Sequence, residues 1–165
     1  MPLKTSILIC CMALLTGCVG HYQQPASNAP HATLEGQWGT NNLMSGGSQG
    51  YWAYYDARCQ DTAETGVLGS LSVSDPAKNR FLIQPDRRVY LTALSSGVIE
   101  RQSTDQALIH RSCLSRSSFI PEAGATYQMT HSAPESGCAL QVIDKQTGKA
   151  PSTLVVEPVV EGCGL

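Results

Sequence analysis

The chain has 165 residues, a formal charge of −2, 42% hydrophobic and 15% charged residues, and seven cysteines. With a charge so near zero and no Lys/Arg cluster, the composition weighs against nucleic acid as a partner, since phosphate binding needs a concentrated basic surface. The length suits a single domain that can bury a core unaided.

Lys4 precedes an uncharged apolar run at residues 7–15. That run falls short of the about 20 apolar residues needed to cross a bilayer. A charge, a short apolar core and then small residues read as an export signal. The four residues Leu15-Thr16-Gly17-Cys18 resemble the lipobox of bacterial lipoproteins, an aliphatic residue and two small residues before a cysteine. The resemblance implies diacylglyceryl attachment to the Cys18 sulfur, cleavage after Gly17 and acylation of the new amino group. Three acyl chains at about 0.8 kcal/mol per buried CH₂ give lasting attachment, because two already suffice. Val19 stands where an aspartate would retain such a protein in the inner membrane, so the resemblance implies the outer membrane, facing the periplasm. The competing reading is an ordinary secretory signal, with Cys18 following small residues by chance. Either way Cys10 and Cys11 belong to the discarded segment.

The expected organisation is a signal peptide at 1–17, the lipidated cysteine and a flexible tether at 18–35, and one domain at 36–165. Loss of Lys4 leaves the mature chain a formal charge of about −3. Residues 19–35 are small and polar, hold Pro25 and Pro30, and show no apolar period. As a flexible chain they would reach some 20–25 Å from the bilayer. His21 and His31 read as solvated linker residues. Residues 36–50 contain five glycines and read as a loop, pinned to the body by Trp38.

Residues 51–55 (Tyr-Trp-Ala-Tyr-Tyr) suit a strand. Period two puts Tyr51, Ala53 and Tyr55 on one face, with Trp52, Tyr54 and Asp56 on the other. Aromatics on both faces give two readings, a strand buried on both sides or a partner-binding surface formed by Trp52 and Tyr54. Four cysteines follow, Cys59, Cys113, Cys138 and Cys163. An even number in an exported chain reads as two disulfides, with three pairings open. Zinc is the weaker reading, because no C-x₂-C pair is present.

Further short apolar runs lie at 67–73, 80–83 and 89–94, divided by the turn formers Asp75-Pro76 and Pro85-Asp86. Residues 95–106 read as a loop. Residues 104–113 stay open between a helix capped at Ser103 and a strand. Strands are expected at 125–130 and 138–144, the latter with Cys138, Leu140 and Val142 on one face. A last strand, 154–160, is interrupted by Pro158, which belongs at an edge or bulge. Short runs at 8–12-residue spacing without βαβ alternation predict an all-β fold, a single antiparallel β-sandwich with at most one short helix. The strand-turn-strand pattern of residues 119–127, with Gly124 three residues before Tyr127, loosely resembles immunoglobulin-like and transthyretin-like sandwiches.

Catalytic signatures are absent from the sequence. No G-x-S-x-G elbow is present. His110 and His131 read as satisfied core or surface residues rather than a metal or acid–base pair. Cys113 reads as half a disulfide rather than a nucleophile. Glu122, Asp144 and Glu157 sit at turns or edges, and no glycine-rich loop leads into a helix. No catalytic residue, metal or cofactor is expected. The expected role is a non-enzymatic, protein-binding accessory subunit of an envelope complex. The alternatives are a periplasmic inhibitor or immunity lipoprotein and an envelope hydrolase.

Overall fold

The computed structural model describes residues 20–38, 44–101, 108–132 and 138–164. The signal region with Cys18, and the capping sequence at Ser103, lie outside the described residues. Nine strands and one 3₁₀ turn (Pro76–Asn79) are present among the described residues. The strands are β1 (Ala32–Trp38), β2 (Met44–Tyr54), β3 (Gly66–Ser70), β4 (Arg80–Ile83), β5 (Val89–Arg101), β6 (Leu108–Phe119), β7 (Thr126–Ser132), β8 (Ala139–Asp144) and β9 (Val155–Glu157). They form two sheets, β4-β1-β7-β8 and β3-β2-β5-β6-β9.

Alternation drives the packing. In β5, Val89, Leu91 and Ala93 are fully buried, while Tyr90 and Leu94 are half-buried. In β7, Tyr127, Met129 and His131 point inward from every second position. Leu34, Phe81 and Ile83 of the four-stranded sheet meet Tyr51, Ala53 and Leu91 of the five-stranded sheet in one core. Phe119 and Tyr127 join the sheets edge to face, with ring centroids 4.9 Å apart. The turn between β4 and β5 holds Asp86 at φ 60°, a left-handed conformation that aspartate tolerates better than most residues.

The sandwich differs from the sequence-based expectation in four places. First, it is mixed rather than wholly antiparallel: β1 runs parallel to β7, from Thr33 opposite Thr126 to Trp38 opposite His131. Second, residues 20–35 are not a free tether. Ala32 and Leu34 are core residues of β1, and Tyr22 is buried beside β3. Third, the glycine-rich stretch supplies the end of β1 and the start of β2, where Gln49 pairs with Ser95 and Ser48 with Ser96. Fourth, residues 95–101 continue β5 instead of forming a loop; of the two readings left open for 104–113, the strand holds over 108–113, in the long β5–β6 ladder from Val89↔Phe119 to Arg101↔Leu108. Ladder bonds come from the backbone, so serine and glycine enter them without an apolar signature.

The disulfides join Cys59 to Cys163 and Cys113 to Cys138. The second links β6 to the start of β8 and so ties one sheet to the other. The first fastens the closing segment of the chain over the outside of the five-stranded sheet.

Candidate functional site

On that outer face, side chains from adjacent strands stand side by side: Trp52 and Tyr54 from β2, Tyr90 and Thr92 from β5, and Arg116 from β6. Tyr54 packs with Cys59 and Cys163, and Trp52, Tyr90 and Val160 close around this group. Tyr54 is only 4% exposed, and burial raises its phenol pKa. Trp52 is half-buried and lies beside Gly164. The chain therefore covers its own aromatic face. Of the two residues expected to meet a partner, Tyr54 is shielded by the closing segment and Trp52 is largely packed against it.

Arg116 is the residue the sequence did not reveal here. It is 3% exposed, and no carboxylate pairs with it among the described residues. Its Nη2 donates to the Ala57 carbonyl at 2.6 Å and its Nη1 to that of Pro158 at 3.5 Å. The guanidinium lies 5.0 Å from the Tyr90 ring centre, a cation–π distance. Arg116 thus ties the loop after β2 to the segment after β9. Its sequence surroundings, Ser112-Cys113-Leu114-Ser115-Arg116-Ser117-Ser118, carry no pattern that distinguishes a buried arginine from an exposed one.

A second polar group lies between the sheets. His131 is fully buried, with Nδ1 at 2.7 Å from Ser95 Oγ and Nε2 at 3.0 Å from Ser115 Oγ. The Cys113 sulfur is 3.8 Å from Nε2. Gln49, also fully buried, donates from Nε2 to the His131 carbonyl at 3.0 Å and accepts from the Tyr51 hydroxyl at 3.3 Å. Desolvation holds the His131 pKa down at about 4, so the ring is neutral, with one nitrogen donating and the other accepting. The Ser95–His131 distance would suit a nucleophile and its base. Both groups are sealed inside the sandwich, however, and among the described residues no carboxylate orients the ring. The arrangement stitches β2, β5 and β6 to β7, and buried polar groups need such mutual satisfaction.

On the outside of the other sheet, Glu35, Gln37, Asn79, Arg80, Gln128 and Lys145 help line a groove of about 510 Å³. Lys145 Nζ sits 2.6 Å from Glu35 Oε2, so the charges in its wall largely answer one another. No group of three or more potential metal ligands occurs among the described residues.

The fourth place is the strand-like strap formed by residues 20–24. Val67 N donates to Gly20 O at 2.7 Å, and Tyr22 N to Val67 O at 2.9 Å. The Tyr22 hydroxyl meets that of Tyr55 and accepts from Gln84 N at 3.1 Å. Arg87 lies over the Tyr55 ring at 4.0 Å. A lone aromatic in a polar stretch was the only sequence signal for this dock.

Together the two sheets and their cross-links define a disulfide-stapled β-sandwich. No family model, curated protein or solved structure matches the chain.

Proposed function

We propose that this protein is a lipoprotein, held in the outer membrane by acylated Cys18 on the periplasmic side, and that its sandwich acts by binding another envelope protein. The observation that carries the reading is the four-position match Leu15-Thr16-Gly17-Cys18. Two disulfides support it, because such bonds persist in oxidising compartments and are rare in the cytosol. The binding role draws support from β9, a free edge of the five-stranded sheet. Val156 there is 82% exposed and Val155 is also exposed, as is Val159 just beyond the strand. An edge with unpaired backbone and apolar side chains accepts an extended strand from another protein.

One experiment addresses both parts. Cells expressing wild type or Cys18→Ala receive an alkyne fatty acid, with a photo-crosslinking residue at Val156. Wild type should take up the fatty acid and form a discrete crosslinked product, and Cys18→Ala should take up none. Equal labelling of the two proteins overturns the anchor, and a labelled protein without a crosslinked product overturns β9 as the binding edge.

A further inference from the structure

We infer that the bilayer itself is the neighbour of one end of this sandwich: the strap at residues 20–24 and the loop around residues 60–66 sit against the lipid surface, and the Arg101–Leu108 end of the β5–β6 ladder lies away from it. The inference rests on the lipoprotein reading of Cys18.

The physical ground is that the anchor has no spacer. The strap is fixed along its whole length. Besides its bonds to Val67, Gln23 N donates to Glu64 O at 2.9 Å and Gln23 Nε2 to Ala63 O at 3.1 Å. Gln24 Oε1 accepts from Leu82 N at 2.6 Å, so the strap touches strands of both sheets. Gly20 and Gly66 meet backbone to backbone. A Cβ on Gly20 would come 2.2 Å from Thr65 O and 2.4 Å from Thr62 O, and one on Gly66 would come 1.8 Å from Gly20 O. Gly66 also holds φ +137°, which glycine alone adopts readily. Only hydrogen side chains permit this contact.

Two peptide steps separate Cys18 from Gly20, and an extended chain covers at most about 7 Å in two steps. The acylated cysteine must lie at the lipid surface, so the docked glycine lies within that distance of it. A free 17-residue tether would instead allow some 20–25 Å. The exposed residues beside Gly20 are His21, Gln23, Thr62, Ala63 and Glu64. They are small or polar and include no apolar wedge, so this end rests at the headgroups while the acyl chains do the holding.

The strands lead away from this end. Ala53 of β2 pairs with Gly66 on one side and Leu91 on the other. From Leu91, β5 continues to Arg101, opposite Leu108. Ten residues at about 3.3 Å each put the end of that ladder roughly 30 Å from the strap.

The test uses the intact protein purified from membranes and reconstituted in phosphatidylethanolamine/phosphatidylglycerol vesicles carrying a headgroup acceptor dye. A fluorescent noncanonical residue replaces either Ala63, beside the strap, or Ser48, about 17 Å further along β2 from Ala53. Energy transfer to the lipid dye should be about twofold or more stronger from Ala63 than from Ser48, as that spacing demands. In Gly20→Val, which cannot seat the strap, the difference should shrink. Fatty-acid labelling of Cys18 is measured on the same samples. Equal transfer from both positions in labelled wild-type protein overturns this inference and leaves the lipoprotein reading standing. An unlabelled Cys18 overturns both. Because the decisive comparison is made in wild-type background, failure of Gly20→Val to fold does not rescue the idea.

Discussion

His131 shows how one side chain sets the response of the fold to acid. Its ring stays neutral in the folded protein down to about pH 4, against an ordinary value of 6.5. Between those values the unfolded chain binds a proton that the folded chain does not, so stability is full above 6.5 and falls as pH drops toward 4. The difference amounts to about 3 kcal/mol at the lower end. Urea midpoints measured between pH 7 and 4 should fall accordingly in the wild type and more gently in His131→Gln. Parallel curves for the two proteins would mean that surface carboxylates, not His131, govern the acid response. The sequence left His131 open between a core and a surface place, just past the expected strand at 125–130, and the structure continues that strand to Ser132 and buries the ring in phase with Tyr127 and Met129. Its serine partners were not legible, because Ser95 and Ser115 stand on β5 and β6, in the opposite sheet from β7.

At the scale of elements, the aromatic strand β2 was read correctly in its period and incompletely in its surroundings. Alternation placed Tyr51 and Ala53 in the core, where both are fully buried. What covers the opposite face is a segment more than a hundred residues later, joined through Cys59 and Cys163, and no local pattern announces so distant a lid. Trp52→Ala should therefore cost packing energy, about 2 kcal/mol for a half-buried ring, and lower the Tm by roughly 4–8 °C. An unchanged melting curve would show that the ring contributes nothing to the lid and is free for other contacts. The serine- and glycine-rich halves of β2 and β5 were invisible for a different reason. Their ladder is made by backbone groups, and strand propensity registers side chains.

For the whole molecule, the even cysteine count announced two bridges, and spatial proximity alone decided the pairing. The bridges close chain separations of 104 and 25 residues. Loop-closure entropy then makes them unequal, with roughly 4–5 kcal/mol for the long one and 3–4 for the short one. Guanidinium unfolding of the paired variants Cys59→Ala/Cys163→Ala and Cys113→Ala/Cys138→Ala should reveal that order. The reverse order would show that the Cys113–Cys138 link across the sheets matters more than the length of chain it closes. The two-layer architecture was legible from short, evenly spaced apolar runs. The parallel pairing of β1 with β7 was not, since direction depends on the path of the chain between them.

That pairing also imposes a schedule. β1 lies between β4 and β7, so an emerging chain cannot complete its first strand until its seventh arrives, and closing so long a loop is slow. The strap likewise waits for residues 64–67 and 82. Once Gly20 is locked against Gly66, Cys18 stands only two positions along the chain from a folded wall. Under the lipoprotein reading proposed above, slow closure of the sandwich would keep a time window in which acylating and cleaving enzymes could reach Cys18 before the folded wall forms beside it.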